Sequence, residues 1–138
     1  MHENSPRCHI NSCEIPIRVR YHEVDRMDAV HHSRYAVYFE MGRTELLRRN
    51  GYTYRDLEDA GVLLVVARLE VRFKAPARYD DELILTTSTG KVDRVRLEHV
   101  YELVRPADRQ ILATGTTVLV HVDRQSRLQP LPEMFVPA

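Results

Sequence analysis

The chain has no excess of either charge and no long apolar run. Twenty Lys and Arg balance twenty Asp and Glu over 138 residues, so the formal net charge is zero. Binding nucleic acid through a broad basic field requires a cationic excess, and the balance therefore argues against a nucleic-acid partner. No apolar run approaches the ~18–20 residues that cross a bilayer, which argues against a membrane span.

Cysteine is also scarce. Cys8 and Cys13 are the only two cysteines, and no second ligand pair follows them as in common zinc motifs. The N-terminus lacks the apolar core of a secretory signal, so a reducing, cytoplasmic setting is expected. We predict a flexible leader over residues 1–13 and a single domain over residues 14–138.

The remaining composition, 43% hydrophobic and 29% charged, is typical of one globular domain. Apolar residues with a period of two predict strands, and apolar residues on one helical face predict helices. The predicted strands are Glu14–His22, Val62–Phe73, Glu82–Thr89, Lys91–Val104 and Ile111–Val122. A tail to Ala138 is expected to lie on the surface.

Two helices are predicted between the first two strands. The long one is capped by Ser33, runs to about Arg49 and ends at Asn50-Gly51. Gly42 in its middle indicates a close backbone approach. Its buried face would contain Tyr35, Tyr38, Phe39, Gly42, Leu46 and Leu47. A short helix follows, capped by Thr53 and closed by Gly61.

Short connections between consecutive strands favour antiparallel pairing, which predicts an α+β fold with a five-stranded sheet around one long helix. The edges of such a sheet need cover, and a homo-oligomer would supply it.

The segment before the long helix is the most unusual part of the sequence. Acidic residues and three histidines precede the helix N-terminus, where free N–H groups and the helix dipole favour negative charge. A carboxylate there has the chemistry of a general base or a nucleophile, and the helix start could hold an oxyanion.

The residues of this segment also carry a resemblance. The sequence Tyr21-x-Glu23-Val24-Asp25, then Val30-x-His32-x-x-Tyr35, followed by Phe39-Glu40-x-x-Arg43, resembles acyl-CoA thioesterases of the 4-hydroxybenzoyl-CoA thioesterase and tol-pal-associated type. The similarity continues through Phe73–Asp81 and Ala113–Val118, and covers roughly residues 15–132. These are hotdog-fold proteins, in which an antiparallel sheet wraps around a central helix.

The resemblance implies acyl-CoA thioester hydrolysis by homodimers or homotetramers, with no metal or organic cofactor. It places the catalytic carboxylate at Asp25, as general base or nucleophile. It places at His32 a residue that acts through its backbone N–H or its ring. Position 28 is commonly Gly in this family and is Asp28 here. Asp tolerates positive φ, but a second carboxylate near Asp25 would disfavour the ionisation of Asp25.

Other residues are weaker candidates. Val65 and Val66 are candidates for an acyl pocket, and Lys74 and Arg78 for contacts with coenzyme A phosphates. The structural alternatives are core packing for the valines and a solvated surface for the cations. Asp25 itself has the alternative of an ordinary Asx-turn.

Three further alternatives concern chemistry. A zinc site formed by His22, His31 and His32 with an Asp is conceivable but fits no standard spacing. A hydratase or dehydratase acting on thioesters would use His31 or His32 with Glu40, which otherwise pairs locally with Arg43. A non-catalytic acyl-CoA or acyl-carrier-protein binding module would result if Asp28 weakened the chemistry.

Overall fold

The computed structural model describes residues 7–137, and its centre is one long helix packed against an antiparallel sheet. The helices are α1 (Ser33–Arg49) and α2 (Tyr54–Asp59). The strands are β1 (Ser12–Arg18), β2 (Leu63–Phe73), β3 (Glu82–Val92), β4 (Arg96–Arg105), β5 (Gln110–Val122) and β6 (Leu128–Gln129). The predicted α+β architecture is confirmed.

The strands are ordered β1-β3-β4-β5-β2, so β1 and β2 form the two edges. Every pairing along this path is antiparallel. None of the helices among the described residues is long and apolar enough to cross a membrane.

The sheet has six strands, and the prediction of five was wrong. The sixth strand, β6, pairs with the end of β5, with Gln129 opposite His121. A tight turn returns the tail to the sheet, because Asp123 Oδ1 accepts the N–H groups of Gln125 and Arg127, each at 2.9 Å.

Several strand boundaries also differ from prediction. β1 ends at Arg18, before the predicted His22, and a 3-10 helix follows at Tyr21–Glu23. β4 begins at Arg96, five residues after the predicted Lys91. β1 begins at Ser12, two residues early, because buried Cys13 continues the inward alternation of the strand. The predicted leader therefore overlaps β1, and its first six residues lie outside the described part of the chain. β3 continues through Gly90 to Val92, since the turn is built at Asp93, whose Oδ1 accepts the N–H groups of Val95 and Arg96.

Helix α1 packs its buried face against the sheet, and it begins directly after the loop that follows β1. All six residues of its predicted inner face are buried. A Cβ at Gly42 would collide with Thr87 Oγ1 and the Leu85 side chain, which confirms the predicted close approach. Phe39 stacks on Tyr101 with ring centroids 4.1 Å apart. The helix axis is thus fixed against β3 and β4.

Candidate active site

The loop between β1 and α1 is a small closed hairpin. Val24 and Val30 form an isolated antiparallel bridge, and the Asp25 N–H donates to the Ala29 carbonyl at 2.8 Å. The Val30 N–H donates to the Ala77 carbonyl at 2.8 Å, which ties the hairpin to the β2–β3 connection. The loop therefore has a defined shape before any substrate binds.

Asp25 is exposed on this hairpin and is held by one of its two carboxylate oxygens. Its Oδ1 accepts the N–H groups of Met27 at 2.8 Å and Ala29 at 3.2 Å. This is the Asx-turn that the sequence analysis gave as the alternative role of Asp25. The same turn leaves Oδ2 without a hydrogen bond among the described residues, so one oxygen is oriented by the backbone and the other faces solvent.

Asp28 adopts positive φ (57°), a conformation that favours Gly. Its Oδ1 accepts the Tyr79 N–H at 3.1 Å, so this second carboxylate is used to hold the β2–β3 connection. Asp is among the residues that tolerate this backbone region, and the fold accommodates it as expected.

Glu23 is the residue that sequence reasoning missed. It is only 1% exposed, and its carboxylate accepts the Arg20 N–H at 2.8 Å and the Tyr38 hydroxyl at 3.1 Å. Burial acts to raise the pKa of Glu23, but these bonds and the Arg20 guanidinium outweigh burial, and the pKa is lowered. The available signal was the Arg20-x-x-Glu23 spacing, with Glu23 positioned to accept from the N–H that precedes the turn.

The start of α1 lies directly after His31 and His32, whose rings are 4.1 Å apart. Helix α1 begins at Ser33, and His32 occupies the N-cap position. The prediction that Ser33 caps the helix was therefore wrong. The reason is that Ser33 donates its N–H to His31 Nδ1 at 3.2 Å, and its hydroxyl lies 2.9 Å from the same atom. His31 thus has a structural role at the helix start.

His32 has a different environment. Its ring is exposed, and neither the ring nor its backbone N–H forms a hydrogen bond among residues 7–137. This N–H belongs to the N-terminal turn of α1, where the helix dipole favours negative charge. A free donor of this kind can polarise a carbonyl oxygen.

The histidines do not assemble a metal centre in the part of the chain that the structure describes. No group of three or more His, Cys, Asp or Glu residues there is placed to hold a metal ion. His22 is exposed, and its carbonyl oxygen lies 3.4 Å from Arg34 Nη2. The predicted local pair between Glu40 and Arg43 is also not formed, because Arg43 is buried and Glu40 is exposed.

The two candidate cations differ in their distance from the loop. Arg78 is exposed, and its Nη1 lies 3.4 Å from the carbonyl oxygens of both Met27 and Asp28. Lys74 is exposed near the end of β2, and its N–H donates to Leu112. Arg78 therefore borders the Asp25 hairpin directly.

Val65 and Val66 lie on the edge strand β2 and are 42% and 47% exposed. Phe73 at the far end of β2 contacts Tyr35 near the helix start, with ring centroids 4.9 Å apart. Val66 is seven residues from Phe73, or about 23 Å along an extended strand. Within one chain, the two valines are therefore not brought to Asp25.

Comparisons with known proteins agree with this geometry. The sequence profile of the thioesterase-like superfamily matches residues 19–138. The chain is 31% identical over 118 residues to the putative acyl-CoA thioesterase YneP of Bacillus subtilis, covering 86% of this chain and 83% of YneP. It is 32% identical over 122 residues to the acyl-CoA thioester hydrolase YbgC of Escherichia coli, covering 88% of this chain and 90% of YbgC.

A solved structure extends the agreement to three dimensions. A probable thioesterase from Bartonella henselae superimposes with a TM-score of 0.81 at 25% identity, covering 88% of this chain and 99% of that protein. The resemblance inferred from the loop and helix residues is therefore confirmed over most of the chain.

Proposed function

The chain belongs to the thioesterase-like superfamily, with the hotdog fold, and from this membership we propose that it hydrolyses acyl-CoA thioesters with Asp25 as the catalytic carboxylate. The observation that carries the proposal is the hairpin itself. It fixes Asp25 Oδ1 on the backbone and leaves Oδ2 without a hydrogen bond among the described residues. Seven residues later, the His32 N–H is likewise without a partner there, directly before α1.

The thioester carbonyl would accept a hydrogen bond from the His32 N–H. Attack on the carbonyl carbon moves negative charge to its oxygen, where the α1 N-terminus stabilises it. His32 then contributes through its backbone. The alternative ring role has no supporting hydrogen bond among the described residues.

Asp25 has two possible roles. As a general base it takes a proton from water while the water oxygen attacks the carbonyl carbon. The carbon–sulfur bond then breaks, and the coenzyme A thiolate leaves and is protonated. As a nucleophile its oxygen forms the new carbon–oxygen bond and displaces the thiolate, and water hydrolyses the resulting mixed anhydride. Both routes need a deprotonated Asp25.

Steady-state thiol release on short, long and aromatic acyl-CoA substrates tests this assignment. We expect kcat of Asp25→Asn and Asp25→Ala to fall about 100-fold or more, since acid–base catalysis typically contributes that much. Asp59→Asn removes another exposed carboxylate, from α2, and should retain wild-type kcat. If both Asp25 variants hydrolyse at the wild-type rate, the assignment is wrong.

The same assay separates the alternative functions. Hydration of crotonyl-CoA without thiol release would indicate a hydratase. Saturable binding of acyl-CoA with neither reaction would indicate a binding module.

Coenzyme A would be held by local contacts. Arg78 offers its guanidinium beside the hairpin, and Lys74 lies near the end of β2 on the same connection. Because the net charge of the chain is zero, phosphate binding must depend on such local cations. The cytoplasmic location expected from the sequence stays a prediction.

We also propose that the active unit is a homodimer formed through β2, with pairing of dimers into tetramers. β2 is a long edge strand with four exposed apolar side chains, which are Val65, Val66, Leu69 and Phe73. An unpaired edge of this kind is a template for pairing with a second copy. Antiparallel pairing centred near Leu69 would place Val65 of one copy opposite Phe73 of the other. The predicted acyl-pocket role of Val65 and Val66 then requires two chains.

A further inference from the structure

A cavity lies towards the opposite end of α1 from the Asp25 hairpin. Its volume is about 510 Å³, and its wall includes Arg43, Leu46, Tyr54, Leu97, His99 and Phe135. Arg43 is eleven residues beyond His32, which is about 16 Å along a helix. The cavity is therefore separate from the proposed catalytic hairpin.

The cavity contains a buried positive charge without a carboxylate partner. Arg43 is 9% exposed and forms no ion pair among residues 7–137. Its guanidinium lies beside the hydroxyls of Tyr54 and Tyr101. Burying a charge without a partner is costly, which favours an anion at this position.

His99, in the same wall, has a polar atom without a partner. It is 6% exposed, and its Nδ1 is buried without a hydrogen bond among the described residues. Burial and the nearby Arg43 charge lower the pKa of His99 to about 4, so its ring is neutral at pH 7. Buried polar atoms nearly always have partners, so the unpaired Nδ1 shows that the polar groups behind this wall are not fully satisfied by the protein.

The rest of the wall has an apolar part and a polar part, the polar part formed by Arg7, His9, Asn11, Asn50 and Thr89. Leu46, Leu97 and Phe135 line the apolar part together with Val92 and Val136. A volume of this size falls in the ~300–1,000 Å³ range of small-molecule sites, which combine apolar walls with a few polar groups. The cavity therefore suits a ligand with an apolar body and one anionic end.

We propose that this cavity binds a small organic carboxylate with an apolar body, whose carboxylate contacts Arg43 while the ligand lies beside the His99 ring. The planar guanidinium matches a carboxylate. Such a ligand would be held about three helical turns from His32. It would therefore act as an effector or a structural ligand and would not be the molecule undergoing hydrolysis.

Octanoate is the probe for the test, with octan-1-ol as the uncharged match. Calorimetric titration of the full chain should give saturable octanoate binding that is about tenfold or more tighter than octan-1-ol binding, since charge-assisted hydrogen bonds are the strong ones. The ¹⁵N resonance of His99 Nδ1 should shift as octanoate saturates the protein.

Three variants locate the binding. Arg43→Gln should weaken octanoate binding about tenfold or more, and Arg55→Gln, which removes an exposed arginine from α2, should leave it unchanged. Val92→Trp fills the cavity, keeps the charge of Arg43 and should abolish octanoate binding. This variant tests the location of the site if Arg43→Gln does not fold. Wild-type affinity in Val92→Trp, or no saturable binding, would overturn the proposal. Each of these results leaves the role of Asp25 in hydrolysis unaffected.

Discussion

At the scale of single residues, Glu23 determines the shape of the hairpin that carries Asp25, although its own carboxylate is buried. Its buried carboxylate joins Arg20 at the start of the loop to Tyr38 on α1, and its own carbonyl accepts the His31 N–H at 2.9 Å. A carboxylate held in this way stabilises the folded state only while it is ionised. Its effect on stability must therefore depend on pH.

We expect Glu23→Gln to lower the free energy of unfolding by about 1–3 kcal/mol at pH 7, the usual cost of weakening buried hydrogen bonds to a charged group. Because the folded-state pKa of Glu23 is lowered, its contribution is complete above its unfolded value near 4.5. It is lost as pH falls through the lower folded-state pKa.

Urea unfolding of wild type and Glu23→Gln from pH 7 to pH 3 checks this expectation. The difference between the two proteins should shrink below about pH 4.5, since a protonated Glu23 resembles Gln. Glu58→Gln, an exposed change on α2, should have little effect at any pH. A constant difference across the range would contradict the ionised role of Glu23.

At the scale of elements, the contact between α1 and β3 depends on the absence of a side chain at Gly42. Replacing Gly by Ala in an exposed helix stabilises it by about 0.5–1 kcal/mol. Here the new Cβ would meet Thr87 Oγ1 and Leu85, both in buried residues of β3. The sign of the effect should therefore reverse.

We expect Gly42→Ala to destabilise the protein by about 1–3 kcal/mol, the cost of overpacking a filled core. Thermal or urea unfolding measures this directly. Thr87→Ala removes the nearer obstacle. Gly42→Ala should therefore lower the free energy of unfolding less in a Thr87→Ala protein than in the wild type. A gain in stability from Gly42→Ala would mean that helix and sheet separate more easily than their packing indicates.

The elements that the sequence predicted well are those governed by local chemistry. Helix α1 ends at Arg49 as expected, and the Thr53 side chain accepts the Asp56 N–H at 3.1 Å as a helix cap. Both depend on neighbours within one turn. The roles of Asp25 and His32 rest on the family pattern and stay a prediction. Asp25 Oδ2 and the His32 N–H form no hydrogen bond among residues 7–137.

The features that the sequence did not predict depend on distant residues. Gly90 resembles a strand break, but in the sheet a Cβ there would collide with the Glu98 side chain on the neighbouring strand. The burial of Glu23 depends on Tyr38, fifteen residues away. Charged residues are usually exposed, so a sequence pattern assigns Glu23 and Arg43 to the surface until the fold shows what surrounds them.

At the scale of the whole molecule, the edge strand β2 conflicts with a stable monomer. Its exposed side chains include Leu69 at 46% and Phe73 at 55%, and the strand is eleven residues long. Natural edge strands are usually short or charged, because long apolar edges associate. The exposed pairs that Glu70 forms with Arg68 at 3.0 Å and Arg72 at 3.4 Å add little energy but bias the register of an antiparallel partner.

We therefore expect the wild-type protein to sediment at two or four times its chain mass, and Leu69→Lys to sediment as a monomer. A lysine at the centre of the edge would bring two like charges together across the proposed two-fold axis. Leu128→Lys, which changes an even more exposed leucine on β6, should keep the wild-type mass. Sedimentation equilibrium separates these outcomes.

If the acyl pocket needs Val65 from a second copy, monomeric Leu69→Lys should also lose thiol release, although its Asp25 hairpin is unchanged. A fully active Leu69→Lys monomer would show that one chain holds the complete site. A monomeric wild type would contradict the proposed dimer through β2.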